Sequence, residues 1–312
     1  MDIRDRLALW FADVTLRPAS VARYRVSFNQ LERAGITQVE DLTRAKIRRW
    51  VTDRRAVGRT MQTCKRDVAA VRSLLRWLEE RDDVTLEQVR ELERMRLKCA
   101  PRPPVRFLTR EQYRLLLEAA GDVHELAEIA IALGVNSGLR LAELVPLRRE
   151  DLELDLESAA PAPFVWVRRE RHETKTGKPR TAAMDVYFAR WLASRPALAI
   201  EGPLFPANGL VGRGPRSGRE CVGRATLQRW LVEARELAGL PWVTWLVLRH
   251  TYGTWLAMAN KSSKIIADNL GNSARMAEEH YLGSQPGGRP DFAGIFRIDD
   301  EDDHAAPAAI AA

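Results

Sequence analysis

Apolar side chains recur along the first hundred residues at the three-and-four spacing of amphipathic helices, and the breaks between these stretches fall on glycines and capping residues. Between Ser20 and Gly35, Val21, Tyr24, Phe28 and Leu31 mark one face of a helix. Thr43 to Val57 repeats the pattern with Ile47, Trp50 and Val51 and stops at Gly58. The longest stretch runs from Thr60 to Glu80. There Met61, Cys64, Val68, Val71, Leu75 and Leu78 share a face, while Lys65, Arg66, Arg72 and Arg76 fall largely elsewhere. Thr85-x-x-Gln88 has the spacing of a capping box and opens a shorter helix. Residues 1–97 therefore read as a small helical bundle.

A different pattern follows. Residues 98–107, KCAPRPPVRF, hold three prolines, which block both helix and central strand, so 98–106 reads as a linker. Thr109-x-x-Gln112 opens a second domain, expected over 107–285, with a helix continuing through Leu126–Leu133. Residues 164–184 alternate and carry a polar Thr-Gly-Lys-Pro turn, which predicts a β-hairpin. Helices follow near 225–238, 248–259 and 262–270. The expected fold is mostly α with a small β-sheet, in two domains. Residues 286–312 turn Gly/Pro-rich, then acidic, then alanine-rich, the composition of a mobile tail.

Composition sets the class. The chain has 312 residues, 46% hydrophobic and 29% charged, an ordinary soluble globular balance with room for about two domains. No apolar run approaches the roughly 18 residues of a membrane span. The opening MDIRDRLALWFADV places Asp and Arg inside its apolar stretch, unlike a secretory signal, and three cysteines are too few for a disulfide framework. A reduced, cytoplasmic protein with buried thiols at Cys64, Cys99 and Cys221 is the expectation. His124 and His172 lack partners at metal-ligand spacing, and no phosphate-binding or dinucleotide-type glycine loop is present, so neither metal nor cofactor is expected. The net charge is +7. Two arginines against six carboxylates give residues 286–312 a charge of −4, leaving +11 on the rest. An arginine-rich excess of this kind suits a polyanion, because guanidinium pairs bidentately with phosphate and its binding releases condensed counterions.

Four segments carry candidate chemistry. In Ser137–Leu144, SGLRLAEL, Gly138 permits a tight entry to a helix, Arg140 falls in the first turn, and Glu143 is placed to orient its guanidinium. An arginine so held can grip a phosphate, although an ordinary surface ion pair has the same spacing. Lys175, at the hairpin turn, is a flexible ammonium able to donate a proton or simply to be solvated. Leu248-Arg249-His250-Thr251 starts a helix, and Leu270-Gly271-Asn272-Ser273 precedes Tyr281.

The order and spacing of GLRxxEL, a hairpin lysine, LRHT, LG-x-S and a tyrosine nine residues after that x resemble the tyrosine recombinases, or phage-integrase-like proteins. The resemblance implies a helical, SAM-like core-binding domain over 1–97, with Thr60, Thr63, Lys65, Arg66, Arg72 and Arg76 toward DNA, followed by an α/β integrase-type catalytic domain. It implies that Tyr281 is the nucleophile, that Arg140 and Arg249 clamp the scissile phosphate, that Lys175 protonates the departing 5′ oxygen, and that Glu143 and His250 support them. A 3′-phosphotyrosyl intermediate conserves the bond energy, so such chemistry needs neither nucleotide nor metal. It further implies a clamp around duplex DNA, homo-oligomers on paired sites, and other recombinase subunits or accessory proteins as partners, with Phe292, Ile295 and Phe296 as a docking peptide. Two positions depart from the family pattern: Leu246 stands where it has histidine, and Asn272 where it has His or Trp. Leucine cannot move a proton, and asparagine is neither acid nor base. His250, about 100° round the helix from Arg249, is read as a packed supporting histidine, and His280 as a surface group. The rival reading is a catalytically impaired recombinase-like protein that binds DNA and assists an active enzyme.

Overall fold

The computed structural model describes residues 1–101, 104–154, 163–168, 179–198, 200–207 and 220–282. The chain divides into two units, Met1–Pro103 and Pro104–Ala312. In the first, helices α1 (Ile3–Asp13), α2 (Pro18–Arg33), α3 (Arg44–Ala56), α4 (Met61–Glu79) and α5 (Leu86–Glu93) enclose a core containing Leu31, Leu42, Ile47, Leu75, Leu78 and Leu92. Helix α1 lies in the stretch considered above only as a signal candidate. Asp2 caps it, and Trp10 stacks on Tyr24 of α2. Three helices are tied by polar groups: Arg54 of α3 donates to Asp67 of α4 at 2.8 Å, and Ser27 of α2 donates to the other Asp67 oxygen at 2.7 Å. Removing Asp67 alone takes the carboxylate from a half-buried guanidinium that keeps only Gln30, and is destabilising.

The two Thr-x-x-Gln signals differ in outcome. The threonine hydroxyls of both accept from the backbone three residues on. Gln112 completes the box by accepting from Thr109 N, whereas the Gln88 amide reaches away to the Val39 carbonyl. A long-range carbonyl in need of a donor outcompetes the local cap.

The second unit is built on α6 (Arg110–Val123) and α7 (Glu125–Ser137). Ten of the thirteen α7 residues are buried, so this helix is apolar all round and forms the centre of the core. His124 caps it through Nδ1 and stacks on Trp230. After the short α8 (Leu141–Leu144) come β1 (Leu152–Glu153), β2 (Phe164–Val167) and β3 (Arg180–Ala183), an antiparallel sheet in that order, with Leu152 opposite Val165 and Val167 opposite Arg180. Val165, Val167 and Ala182 point inward and Trp166 outward. Helices α9 (Val186–Ala193), α10 (Arg224–Leu237), α11 (Trp245–Met258), α12 (Ser263–Leu270) and α13 (Ala274–Ala277) complete the unit, and a π-helical turn, Glu278–Leu282, ends it. Cys64 is buried, but Cys99 and Cys221 lie outside the helices and are only half-buried, contrary to expectation. The tail, including Phe292, Ile295 and Phe296, lies outside the described residues. So do Lys175 and His172. No described helix is long and apolar enough to cross a membrane.

Candidate active site

Gly138 closes α7 in the left-handed conformation, φ +61°. A Cβ there would stand 2.6 Å from the Tyr252 ring and 2.7 Å from Leu270, so only glycine satisfies both backbone and packing. The chain turns directly into α8, and Glu143 reaches back to accept from Arg140 N at 2.8 Å. Its other oxygen holds the Arg140 guanidinium at 2.9 Å, while Arg180 of β3 donates at 2.8 Å to the first oxygen, the one that accepts from Arg140 N. Burial of Glu143 favours its neutral form, but the fields of Arg180 and Arg140 and the Arg140 backbone N–H outweigh it, holding the carboxyl below its ordinary value. The pair is thus no isolated surface contact but part of a network centred on the buried Glu143 carboxylate.

The second arginine lies deeper. Arg249, 5% exposed on α11, donates to the carbonyls of Gly138, at 2.7 Å, and Leu270. Burial and the neighbouring Arg140 and Arg180 depress its pKa to about 9. Asn272 joins the two arginines: Arg140 Nη2 and Arg249 Nη2 both donate to its Oδ1, each at 3.1 Å. A tryptophan, donor only, could not accept either bond. Gly271, also left-handed, makes room for this turn, since a Cβ on it would come within 2.9 Å of Arg180 Cδ and Nε.

Tyr281 is 3% exposed, in a small cluster with Tyr252, Ala257, Ile266, Ala267, Leu270 and Ala277. Its ring lies so close to α11 that a Cβ on Gly253 would stand 2.7 Å from Cε1 and Cζ. Burial raises its pKa, opposed by the fields of Arg249 and Arg140. Its hydroxyl lies 3.1 Å from His250 Nδ1. This corrects the sequence-based placement of His250: measured from position 246 rather than from Arg249, it is four residues on, about 40° round the helix, and on the same face. Leu246 lies four residues earlier on the same helix. It is 60% exposed at the edge of a cavity of about 850 Å³ that Arg140, Arg180, Arg249, His250, Asn272, His280 and Tyr281 also line.

Arg180 and Gly253 carry no sequence signal as strong as the motifs around them. A lone glycine inside a helical run marks a close approach, and this was the available clue to Gly253. In the other unit, Lys65 and Arg66 are exposed. Arg72 is not free to face a ligand: its guanidinium donates to the carbonyls of Leu92 and Met95, at 2.9 and 2.5 Å, bracing the end of α5. Arg76 pairs with Glu93 at 2.7 Å, and Thr60 caps α4 by accepting from Thr63 N. Arg44, Arg48 and Arg49 of α3 are also exposed.

The first unit matches the family model of the phage integrase N-terminal SAM-like domain over residues 11–82. The tyrosine recombinase XerC of Mesorhizobium japonicum is 28% identical over 257 residues, covering 80% of this chain and 77% of that protein. Among solved structures, the lambda integrase(75-356) dimer bound to a COC′ core site superposes with a TM-score of 0.69 at 17% identity, covering 93% of this chain and 98% of that one. The Tn1549 transposon integrase in complex with a circular intermediate DNA gives 0.67 at 17%, covering 90% and 95%. The architecture is thus a SAM-like helical domain joined to a domain of integrase catalytic fold. In sequence over about four fifths of its length, and in fold, the chain is similar to tyrosine recombinases.

Proposed function

We propose that this protein is a site-specific DNA recombinase that cuts and rejoins strands through a 3′-phosphotyrosyl intermediate. The observation that carries the reading is the convergence on one cavity of Tyr281, Arg140 and Arg249, with both guanidiniums bound to one amide oxygen. Tyr281 attacks the scissile phosphorus, Arg140 and Arg249 balance the charge that builds on the non-bridging oxygens, and Lys175 gives the departing 5′ oxygen its proton. Glu143 and Asn272 position the arginines. Their rigid mounting favours catalysis, since donors already aimed at the developing charge need not reorganise.

The excess of +11 outside the tail supports duplex DNA as the partner, with exposed Lys65 and Arg66 contributing phosphate contacts from the first unit. The dimer that the lambda integrase neighbour forms on its core site supports action as paired protomers. The test is covalent trapping. Nicked duplexes recovered from a randomised pool by binding to the full chain should form a denaturant-resistant adduct, and Tyr281→Phe should form none. Persistence of the adduct in Tyr281→Phe would reassign the nucleophile. Absence of any adduct from the unaltered chain would favour a recombinase-like DNA-binding protein that assists another enzyme.

A further inference from the structure

Loss of histidine at position 246 leaves the tyrosine without its family's usual imidazole, yet an imidazole still meets the phenol. His250 Nδ1 lies 3.1 Å from Tyr281 Oη, within hydrogen-bonding reach. Position 250 is one turn beyond 246 on α11, so its side chain enters the same cavity that Leu246 borders. Gly253, nearly one turn further on, removes the side chain that would otherwise push the Tyr281 ring away. We infer that His250 is the catalytic residue that accepts the Tyr281 proton during strand cleavage and returns it during rejoining. This rests on the reading of Tyr281 as nucleophile.

In cleavage the Oη–P bond forms while the P–O5′ bond breaks. The phenolic proton passes to Nδ1 of neutral His250, giving an imidazolium. The electron pair of the broken bond leaves on the 5′ oxygen, which takes a separate proton from the acid. Rejoining reverses each transfer. The role requires the Nε2–H tautomer, so that Nδ1 carries the lone pair. The titratable and charged groups around His250 are Arg249 on its own helix, His280 and Tyr281 in the π-helical turn, Asp268 of α12, and Arg140 and Arg180 across the cavity. Burial, His280 and Arg249 together lower its pKa to about 4, which keeps it neutral and receptive near pH 7. The incoming phosphate adds the negative charge that stabilises the imidazolium once formed.

The probe is duplex DNA selected by the full chain from a randomised pool and rebuilt with a 5′-bridging phosphorothiolate at each position of the bound segment in turn. Sulfur leaves without protonation, so this substrate bypasses the acid and isolates the nucleophile's proton. His250→Gln should slow adduct formation by about 10²-fold or more on both oxygen and sulfur substrates, the scale of general base catalysis. The remaining rate should rise about tenfold per pH unit as hydroxide takes over. A defect that vanishes on sulfur would place His250 at the leaving group, and an undiminished rate would remove it from catalysis. Either result overturns this inference alone, because the unaltered chain still forms an adduct that Tyr281→Phe lacks. No adduct from the unaltered chain overturns both readings. Should His250→Gln fail to fold, ¹⁵N spectra of the unaltered protein decide: an Nε2–H tautomer whose Nδ1 resonance shifts in Tyr281→Phe supports the inference, and an Nδ1–H tautomer refutes it.

Discussion

Adding one methyl group at Gly253 tests whether the Tyr281 ring sits where the proposed chemistry needs it. The new Cβ would lie 2.7 Å from Cε1 and Cζ and 3.0 Å from Cδ1. Ordinary carbon contacts are about 3.5–4.0 Å, so the ring must retreat by about 1 Å. A displacement of that size in a reacting group costs about 10²-fold in rate. Stability should respond less. Alanine is about 1 kcal/mol better than glycine in a helix interior, while overpacking costs about 1–3 kcal/mol, for a net change between zero and about 2 kcal/mol destabilising. Gly121→Ala is the matched control, since its Cβ meets only Glu128 Cδ at 3.9 Å and should leave the rate alone while raising stability slightly. Adduct formation and thermal unfolding are measured on both variants. A Gly253→Ala protein that forms adduct at the unaltered rate would refute the placement of the nucleophile against α11.

Alanine at the two arginines should separate them in stability, although both substitutions should abolish cleavage. Arg249→Ala strands the buried Gly138 and Leu270 carbonyls, at about 1–3 kcal/mol each, whereas Arg140→Ala leaves Glu143 still paired with Arg180; chemical denaturation compares them. Leu246→His, at an exposed site, should change stability by no more than about 0.5 kcal/mol and speed adduct formation if an imidazole there shares the proton transfer, which single-turnover rates decide. Acid should weaken the fold in two windows. The His250 pKa falls from 6.5 to about 4 on folding, so the unfolded chain binds more protons and stability drops as pH falls from 6.5 towards 4. Glu143, held below its ordinary 4.5, contributes stability above that pH and loses it as pH falls through its folded value. Unfolding titrations of His250→Gln and Glu143→Gln should each lack one window.

Most of the helical frame was legible because it depends on local rules. Thr43, Thr60, Thr85 and Thr109 each cap the helix their position announced. Helix α1 was hidden by a mixed surface in which Ile3, Leu7 and Trp10 alone turn inward. The motifs singled out Arg140, Arg249, Asn272 and Tyr281 as candidates, but not what their side chains touch. Arg72 shows the limit most clearly: as a sequence feature it is one more cation on a basic helix, while in the fold its donors complete the end of another helix twenty residues away. Whether an arginine meets phosphate or carbonyl is decided by the neighbours tertiary structure supplies, and no periodicity encodes them.

The same reasoning bears on the two positions that depart from the recombinase pattern, Leu246 and Asn272. At position 272 the structure calls for an acceptor between two guanidiniums, and an amide oxygen supplies it without adding a titrating group. At position 246 the side chain lies at the cavity edge, while the hydroxyl of Tyr281 faces the next turn of the helix, where His250 stands. Substitution at 246 therefore removes an imidazole from the rim and not from the nucleophile. What remains indispensable is steric: Gly138, Gly253 and Gly271 are the three points where α7, α11 and the turn after α12 approach Tyr252, Tyr281 and Arg180 too closely for a Cβ. A chain may exchange acid–base groups within one helical face, but it cannot fill these three positions without moving the arginines or the phenol that the chemistry needs aligned.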